Sequence, residues 1–339
     1  MIKIQENVSL QPYNTFGIDA HCSYFAEISS TEDFLALITL PVYRSNAKLI
    51  VGGGSNLLFT GDFDGIVIKN NLKGITLVSE NADHAIVKAA AGENWHGLVL
   101  YCIDNNLSGL ENLSLIPGCV GASPMQNIGA YGVEIKETFI ELEAFSLITG
   151  EKKIFKTEDC EFGYRESVFK KKYKDQFLIT SVSFRLNKKA ALNTTYGAIE
   201  QELQTMHITA PTIKDVSNAV IRIRQSKLPD PKVTGNAGSF FKNPEVSESK
   251  YLELKQRFND LVAYPLANGG YKLAAGWLIE QCGLKGFELN GAAVHAKQAL
   301  VLINKNNATG RAIYELSGYV LQKVIDKFGV TLEREVNII

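Results

Sequence analysis

Two glycine-rich loops constrain this chain more than any other feature of it. One, IPGCVGASPMQNIGAYG, spans residues 116–132 and carries Gly118, Gly121, Gly129 and Gly132, with Pro117 and Pro124 stiffening the path between them. Glycine opens a backbone to close approach, and proline fixes φ. The other loop, Gly52-Gly53-Gly54-Ser55-Asn56-Leu57-Leu58, follows Lys48 to Val51, which reads as a short buried strand. Loops that expose consecutive N–H groups bind anions without requiring a lysine, and a pyrophosphate is a common guest. No Gly-Lys-Ser/Thr follows either loop, and neither reads G-x-G-x-x-G into a helix, so a P-loop and a Rossmann site both fit poorly. Two such loops, each behind an apolar strand, suit one extended dinucleotide held by two small α/β units. A single glycine-rich loop, taken alone, is about as often a plain surface turn.

The rest of the chain supplies elements on which such loops could be mounted. Ser30 with Glu32 and Asp33 opens a short helix that Pro41 brings to an end, and strands at Leu49–Val51 and Gly65–Ile68 complete a small βαβ unit ending near Asn70. Strands are expected at Ile75–Ser79 and Ala85–Ala90. Trp95, Leu98, Val99, Cys102 and Ile103 then recur at helical spacing, which makes Trp95 a core residue. A hairpin is expected across Thr149-Gly150, a strand at Phe177–Leu186 and a helix over Asp215–Arg224. Leu228-Pro229-Asp230-Pro231 is the best linker candidate. Beyond it come a helix at Leu273–Cys282, a strand within Ala293–Asn304, and a long helix from Ile313 to Phe328 stopped by Gly329.

Asn14-Thr15-Phe16-Gly17, the GGGSNLL loop and Ile116 to Gly132 together resemble the flavin-binding half of the UDP-N-acetylenolpyruvoylglucosamine reductase (MurB) family of peptidoglycan synthesis. The resemblance continues, in order, through Tyr164-Arg165-Glu166-Ser167, the GNAGSFFKNP stretch at residues 235–244 and Leu332-Glu333-Arg334-Glu335-Val336. It implies an α+β fold: a two-part FAD-binding unit of the vanillyl-alcohol-oxidase/PCMH type, over residues 1–70 and 71–228, and a third α+β substrate-binding domain over 229–339, whose last strand returns to the second part. It implies non-covalent FAD, NADPH as hydride donor, and Gly53, Gly54, Ser55, Asn56, Gly118, Gly121, Ala122, Ser123 and Ile128 as cofactor contacts.

The same resemblance makes Ser239 the general acid, Arg165 a stabiliser of an enolate-like intermediate, and Glu335 the acid that helps polarise it. Read without the family, Ser239 is a serine in a glycine turn and Arg165 an ion-pairing arginine. If residues 331–336 are extended, Glu333 and Glu335 share a face, so alternation does not choose between the two acids; only the family motif selects Glu335. Tyr196, Lys227, Asn243 and Gln298 match the family's substrate contacts, the first two those of its longer, tyrosine-loop subgroup. The chain stops at Ile339, earlier than some relatives are expected to, which bears on the pairing of the last strand and not on the acid.

Composition closes off other classes. At 339 residues the chain is long enough for two or three domains, and 45% hydrophobic with 21% charged residues reads as globular. A net charge of -1 argues against a nucleic-acid or polybasic membrane binder, so an anionic ligand must be met by local donors. Cys22, Cys102, Cys119, Cys160 and Cys282 are scattered, without C-x-x-C spacing, which fits a reducing cytosol and gives no zinc framework. No metal is expected, the start lacks the basic-then-apolar form of a signal peptide, and a cytoplasmic protein acting on small molecules is expected, as a monomer, although the sequence does not itself give the oligomeric state. An oxidase on the same flavin fold, a non-catalytic nucleotide binder and a serine hydrolase are the alternatives; the last lacks a G-x-S-x-G elbow.

Overall fold

The protein is described by a computed structural model covering residues 2–339. It divides into two compact units, each assembled from separated segments. The first takes the chain up to Val8, Cys22–Gly54 and Asp64–Ser226; the second takes Ser9–His21, Ser55–Phe63 and Lys227–Ile339.

Two sheets build the first unit. One has four strands in the order Ile4–Ser9, His21–Ile28, Phe63–Asn70, Ala47–Val51, with the last two parallel and Val51 opposite Lys69. Ser30 and Asp33 form a capping box at the start of helix Thr31–Leu37, which buries Phe34 and Leu37 against Ile66 and Ile68. Pro41 does more than end that helix. It stands at the first position of a second one, Pro41–Ser45, where its missing N–H costs nothing. From there Tyr43 reaches back, its hydroxyl donating to the Leu147 carbonyl at 2.7 Å.

The second sheet is antiparallel, in the order Lys152–Lys156, Phe139–Ser146, Phe177–Asn187, His84–Ala90, Ile75–Glu80. Helix Trp95–Asp104 belongs to the same core through the five residues expected from its periodicity, all buried. Trp95 packs edge-on to Phe184, and its indole N–H donates to the Leu113 carbonyl at 2.9 Å. A buried tryptophan needs such an acceptor. Helices Gly197–Thr205 and Ile213–Lys227 form a smaller apolar cluster through Ile199, Leu203, Val216 and Val220.

In the second unit a four-stranded sheet runs Gly235–Ser239, Val301–Asn304, Ala292–Val294, Glu288–Leu289, with helix Gly310–Phe328 against its two inner strands. The single strand expected within Ala293–Asn304 is thus a pair, Ala292–Val294 and Val301–Asn304, joined by a turn. The helix expected from Leu273 starts at Ala275, because Tyr271–Leu273 pairs with Ala263–Pro265 and Glu245–Val246 in a three-stranded sheet. The terminal strand Asn337–Ile338 pairs in parallel with Leu57–Leu58, where a return to residues 71–228 was expected. Gly310 is required where it stands: a Cβ there would lie 1.6 Å from the Phe59 carbonyl oxygen.

Candidate active site

The two glycine loops approach each other within the first unit through bare backbone. A Cβ on Gly53 would lie 2.8 Å from the Gly118 Cα, and one on Gly52 would lie 3.3 Å from the Cys119 Cβ. The 118–121 segment is stitched to residues 91–95: Trp95 N–H donates to Gly118, Val120 N–H to Glu93 and Gly121 N–H to Ala91. Two ammonium groups attend this backbone, Lys69 donating to the Gly52 carbonyl at 2.7 Å and Lys73 to the Gly92 carbonyl.

Of the expected cofactor contacts, Ala122, Ser123 and Ile128 spend their N–H groups inside the loop and Gly121 spends its own on the Ala91 carbonyl, and the Ser123 hydroxyl donates to Val120 at 2.7 Å. Among the described residues none accepts from the N–H of Gly53, Gly118 or Cys119. These three donors, with the two lysines, are the groups an anion can use, and this donor set fits a pyrophosphate. Beside them an apolar cavity of about 150 Å³, bordered by Ile50, Gly52, Cys119, Ala122, Phe177 and Ile179, offers room for a flat ring. Ser55 and Asn56 continue the first loop into the second unit, where the Asn56 amide donates to the Glu335 carbonyl at 3.2 Å.

Arg165 lies in a tight turn closed by reciprocal bonds between Gly163 and Glu166, at φ +53°. Its Nη2 donates to the Gly129 carbonyl at 2.6 Å, which ties it to the 116–132 loop. Close by is Arg224, which the sequence did not single out. Its Nε donates to the Leu115 carbonyl at 3.2 Å, it bonds the Tyr131 hydroxyl, and its electrostatic neighbours are Tyr131 and Arg165. Burial pushes the guanidinium pKa down; Tyr131 opposes this and Arg165 adds to it. Arginines at 222 and 224 on an amphipathic helix read as solvated, yet Arg224 falls four residues past Val220 and eight past Val216, on the apolar stripe. That spacing was the available signal. Leu115 and Tyr131, like Arg165, hold positive φ, at +59° and +50°. Tyr196 meets Tyr131 edge-on at 5.5 Å between ring centroids and is 45% exposed.

The segments that carry Ser239 and Glu335 pair in the second unit. Phe241 and Arg334 form an antiparallel bridge, flanked by Lys242 N–H donating to the Glu333 carbonyl at 2.9 Å and Glu335 N–H donating to the Phe240 carbonyl at 2.8 Å. Glu335 is therefore bonded to the residue next to Ser239. Phe240 and Phe241 are buried and anchor the strand, while Ser239 is exposed. The Asn14-Thr15-Phe16-Gly17 turn braces the same strand, with Thr15 Oγ1 donating to the Asn236 carbonyl at 2.6 Å and Asn236 N–H returning a bond to the Thr15 carbonyl. Asn243 and Gln298 come together at the start of helix Ala275–Gln281: Asn243 Oδ1 accepts from Ala275 N–H at 2.9 Å, and Gln298 Oε1 stands beside Gly276. Lys227 is exposed at the end of its helix.

Residues 230–339 match the UDP-N-acetylenolpyruvoylglucosamine reductase C-terminal domain family, and residues 22–156 match the FAD binding domain family. A UDP-N-acetylenolpyruvoylglucosamine reductase of Flavobacterium johnsoniae is 50% identical over 339 residues, covering the whole of both chains. One of Chromobacterium violaceum is 51% identical over 335 residues, 98% of each. The chain belongs to the UDP-N-acetylenolpyruvoylglucosamine reductase (MurB) family. It is an FAD-dependent oxidoreductase, as the resemblance implied.

The MurB fold follows from solved structures as well. The MurB reductase of Thermus caldophilus superposes with a TM-score of 0.70 at 21% identity, over 100% of this chain and 99% of that one. p-Cresol methylhydroxylase superposes with a TM-score of 0.51 at 11% identity, over 98% and 84%. The expected α+β fold with an FAD unit of the PCMH type is thus the observed one. Among the described residues no helix is long and apolar enough to cross a membrane, and no cluster of His, Cys, Asp and Glu could hold a metal ion.

Proposed function

We propose that this MurB-family chain carries out the NADPH-driven reduction of UDP-N-acetylglucosamine enolpyruvate to UDP-N-acetylmuramate, a cytoplasmic step of peptidoglycan precursor synthesis, as a monomer. The observation that carries the reading is the bridge that sets Glu335 against the residue next to an exposed Ser239. When bound, FAD would supply the redox chemistry, hydride transfer from NADPH to one carbon of the enol ether. The neighbouring carbon then carries enolate charge and needs a proton, which the Ser239 hydroxyl donates. Arg165, a permanent forked cation, stabilises the oxygens on which that charge rests, and Glu335 polarises the same group. Arg224 adds a second positive charge near Arg165.

In this reading Gly53, Gly54, Ser55, Asn56, Gly118, Gly121, Ala122, Ser123 and Ile128 hold the cofactor, and Tyr196, Lys227, Asn243 and Gln298 hold the sugar nucleotide. Residues 1–70 and 71–228 serve as the FAD-binding subdomains and 229–339 as the substrate-binding domain. Family membership and the loop geometry support these assignments. Ser239→Ala tests the central one. The variant should still be reduced by NADPH and should lose roughly 10²-fold or more of enol-ether turnover, the usual worth of a positioned acid. Full turnover would remove Ser239 from its role.

A further inference from the structure

Residues 333–338 carry a reacting group on very little regular structure. Their ladder consists of the single bridge at Arg334 and the two-residue pairing of Asn337–Ile338; Glu335 is held at its N–H by the Phe240 carbonyl and at its carbonyl by the Asn56 amide, and side chains add to that hold. Arg334 does part of this, its Nε donating to Ser317 Oγ at 2.8 Å with the guanidinium 4.6 Å over the Tyr314 ring. Glu333 adds to it. Its carboxylate takes the Lys242 ammonium at 2.5 Å, while the Lys242 N–H holds the Glu333 carbonyl.

This pair is lopsided in a way that a surface ion pair is not. The Lys242 side chain is 8% exposed and that of Glu333 69%. A lysine is rarely kept that deep without a partner, because desolvating its charge is costly. Lys242 stands three residues after Ser239, and Glu333 two before Glu335, so the pair clamps together the two segments that carry Ser239 and Glu335. In an extended strand Glu333 and Glu335 project to one side, so a two-residue slip would put one carboxylate where the other belongs. The Lys242–Glu333 ion pair, with the backbone bond beside it, opposes that slip.

We propose that Lys242 and Glu333 are positioning residues that set the register of Glu335 beside Ser239, leaving the chemical role to Glu335. The inference rests on the function proposed above.

Lys242→Met tests it, because methionine keeps the buried stem while it takes the ammonium away from Glu333, which is itself exposed and can be hydrated. Glu333→Gln is the companion variant. In anaerobic rapid mixing, reduction of the bound flavin by NADPH should stay within about two-fold of the parent in both. Reoxidation by UDP-N-acetylglucosamine enolpyruvate should slow roughly ten-fold or more, as expected when a reacting group shifts by a fraction of an ångström. The double variant should be no slower than the slower single one. In a Glu335→Gln background, Lys242→Met should add less than about two-fold, since its route runs through Glu335. Unchanged reoxidation, equal slowing of both half-reactions, or full additivity with Glu335→Gln would overturn the inference. A parent enzyme that this substrate does not reoxidise would overturn the proposed function and the inference together, whereas a reoxidised parent with an equally fast Lys242→Met variant would overturn the inference alone.

Discussion

Arg165, Leu115 and Tyr131 each hold a left-handed backbone that bulky side chains avoid, and all three converge on Arg224. Such strain persists only where the surroundings over-determine it, and it gathers at functional sites. His96 belongs to the same group, its Nδ1 accepting the Leu115 N–H at 3.0 Å. Burial, with Arg224 as the second cause, holds the imidazole below its ordinary value of 6.5. Below that value the unfolded chain takes a proton that the folded imidazole refuses, so its contribution to stability is intact above pH 6.5 and lost as the pH falls from there toward the folded pKa. Urea denaturation at pH 7.5 and pH 5 should show this loss, and His96→Gln should reduce it; an undiminished pH dependence in that variant would assign the effect elsewhere. Gly53 makes a sharper case. Alanine there meets Gly118 backbone at 2.8 Å, whereas alanine at Gly61 meets nothing within 4 Å. Titration of apoprotein with FAD should show affinity about ten-fold weaker or worse for Gly53→Ala and unchanged for Gly61→Ala.

Elements with a strong local period were legible in the sequence. The stripe from Trp95 to Ile103 and the hairpin around Thr149-Gly150 appear where apolar spacing and turn residues put them. Pro41 was half legible, because proline stops one helix and opens another by the same missing N–H. Contacts between distant segments left no local trace. Nothing in Lys242 or Glu333 announces that residues 91 apart in the chain share an ion pair, and Arg224 was hidden by the habit of reading helical arginines as solvated. The same holds for Asn14, whose buried amide donates to Leu10 and Ile18 and whose carbonyl oxygen accepts from Ile18 N–H. It shapes the turn from which Thr15 braces the Ser239 strand. Asn14→Ala should cost about 2–4 kcal/mol in urea denaturation, since it strands buried backbone groups. A loss under about 0.5 kcal/mol would mean that the turn is held by other bonds.

At the scale of the whole molecule, segments of the two compact units alternate along the chain. Residues 9–21 and 55–63 cluster with 227–339 because Thr15 pairs with Asn236, and Leu57–Leu58 with Asn337–Ile338. Pairings across 220 residues or more cannot be read from composition shifts or linkers. The net charge of -1 gives the molecule no field to draw in an anionic cofactor, so its anion site depends on local backbone donors and on Lys69 and Lys73. If the proposed function holds, these parts serve two half-reactions in sequence. The direct measurement is anaerobic: mix the FAD-loaded protein with NADPH, follow the flavin's visible absorbance, then add UDP-N-acetylglucosamine enolpyruvate. Bleaching and then full recovery are expected, with one UDP-N-acetylmuramate formed per flavin. Bleaching that this substrate does not reverse would contradict the proposed function.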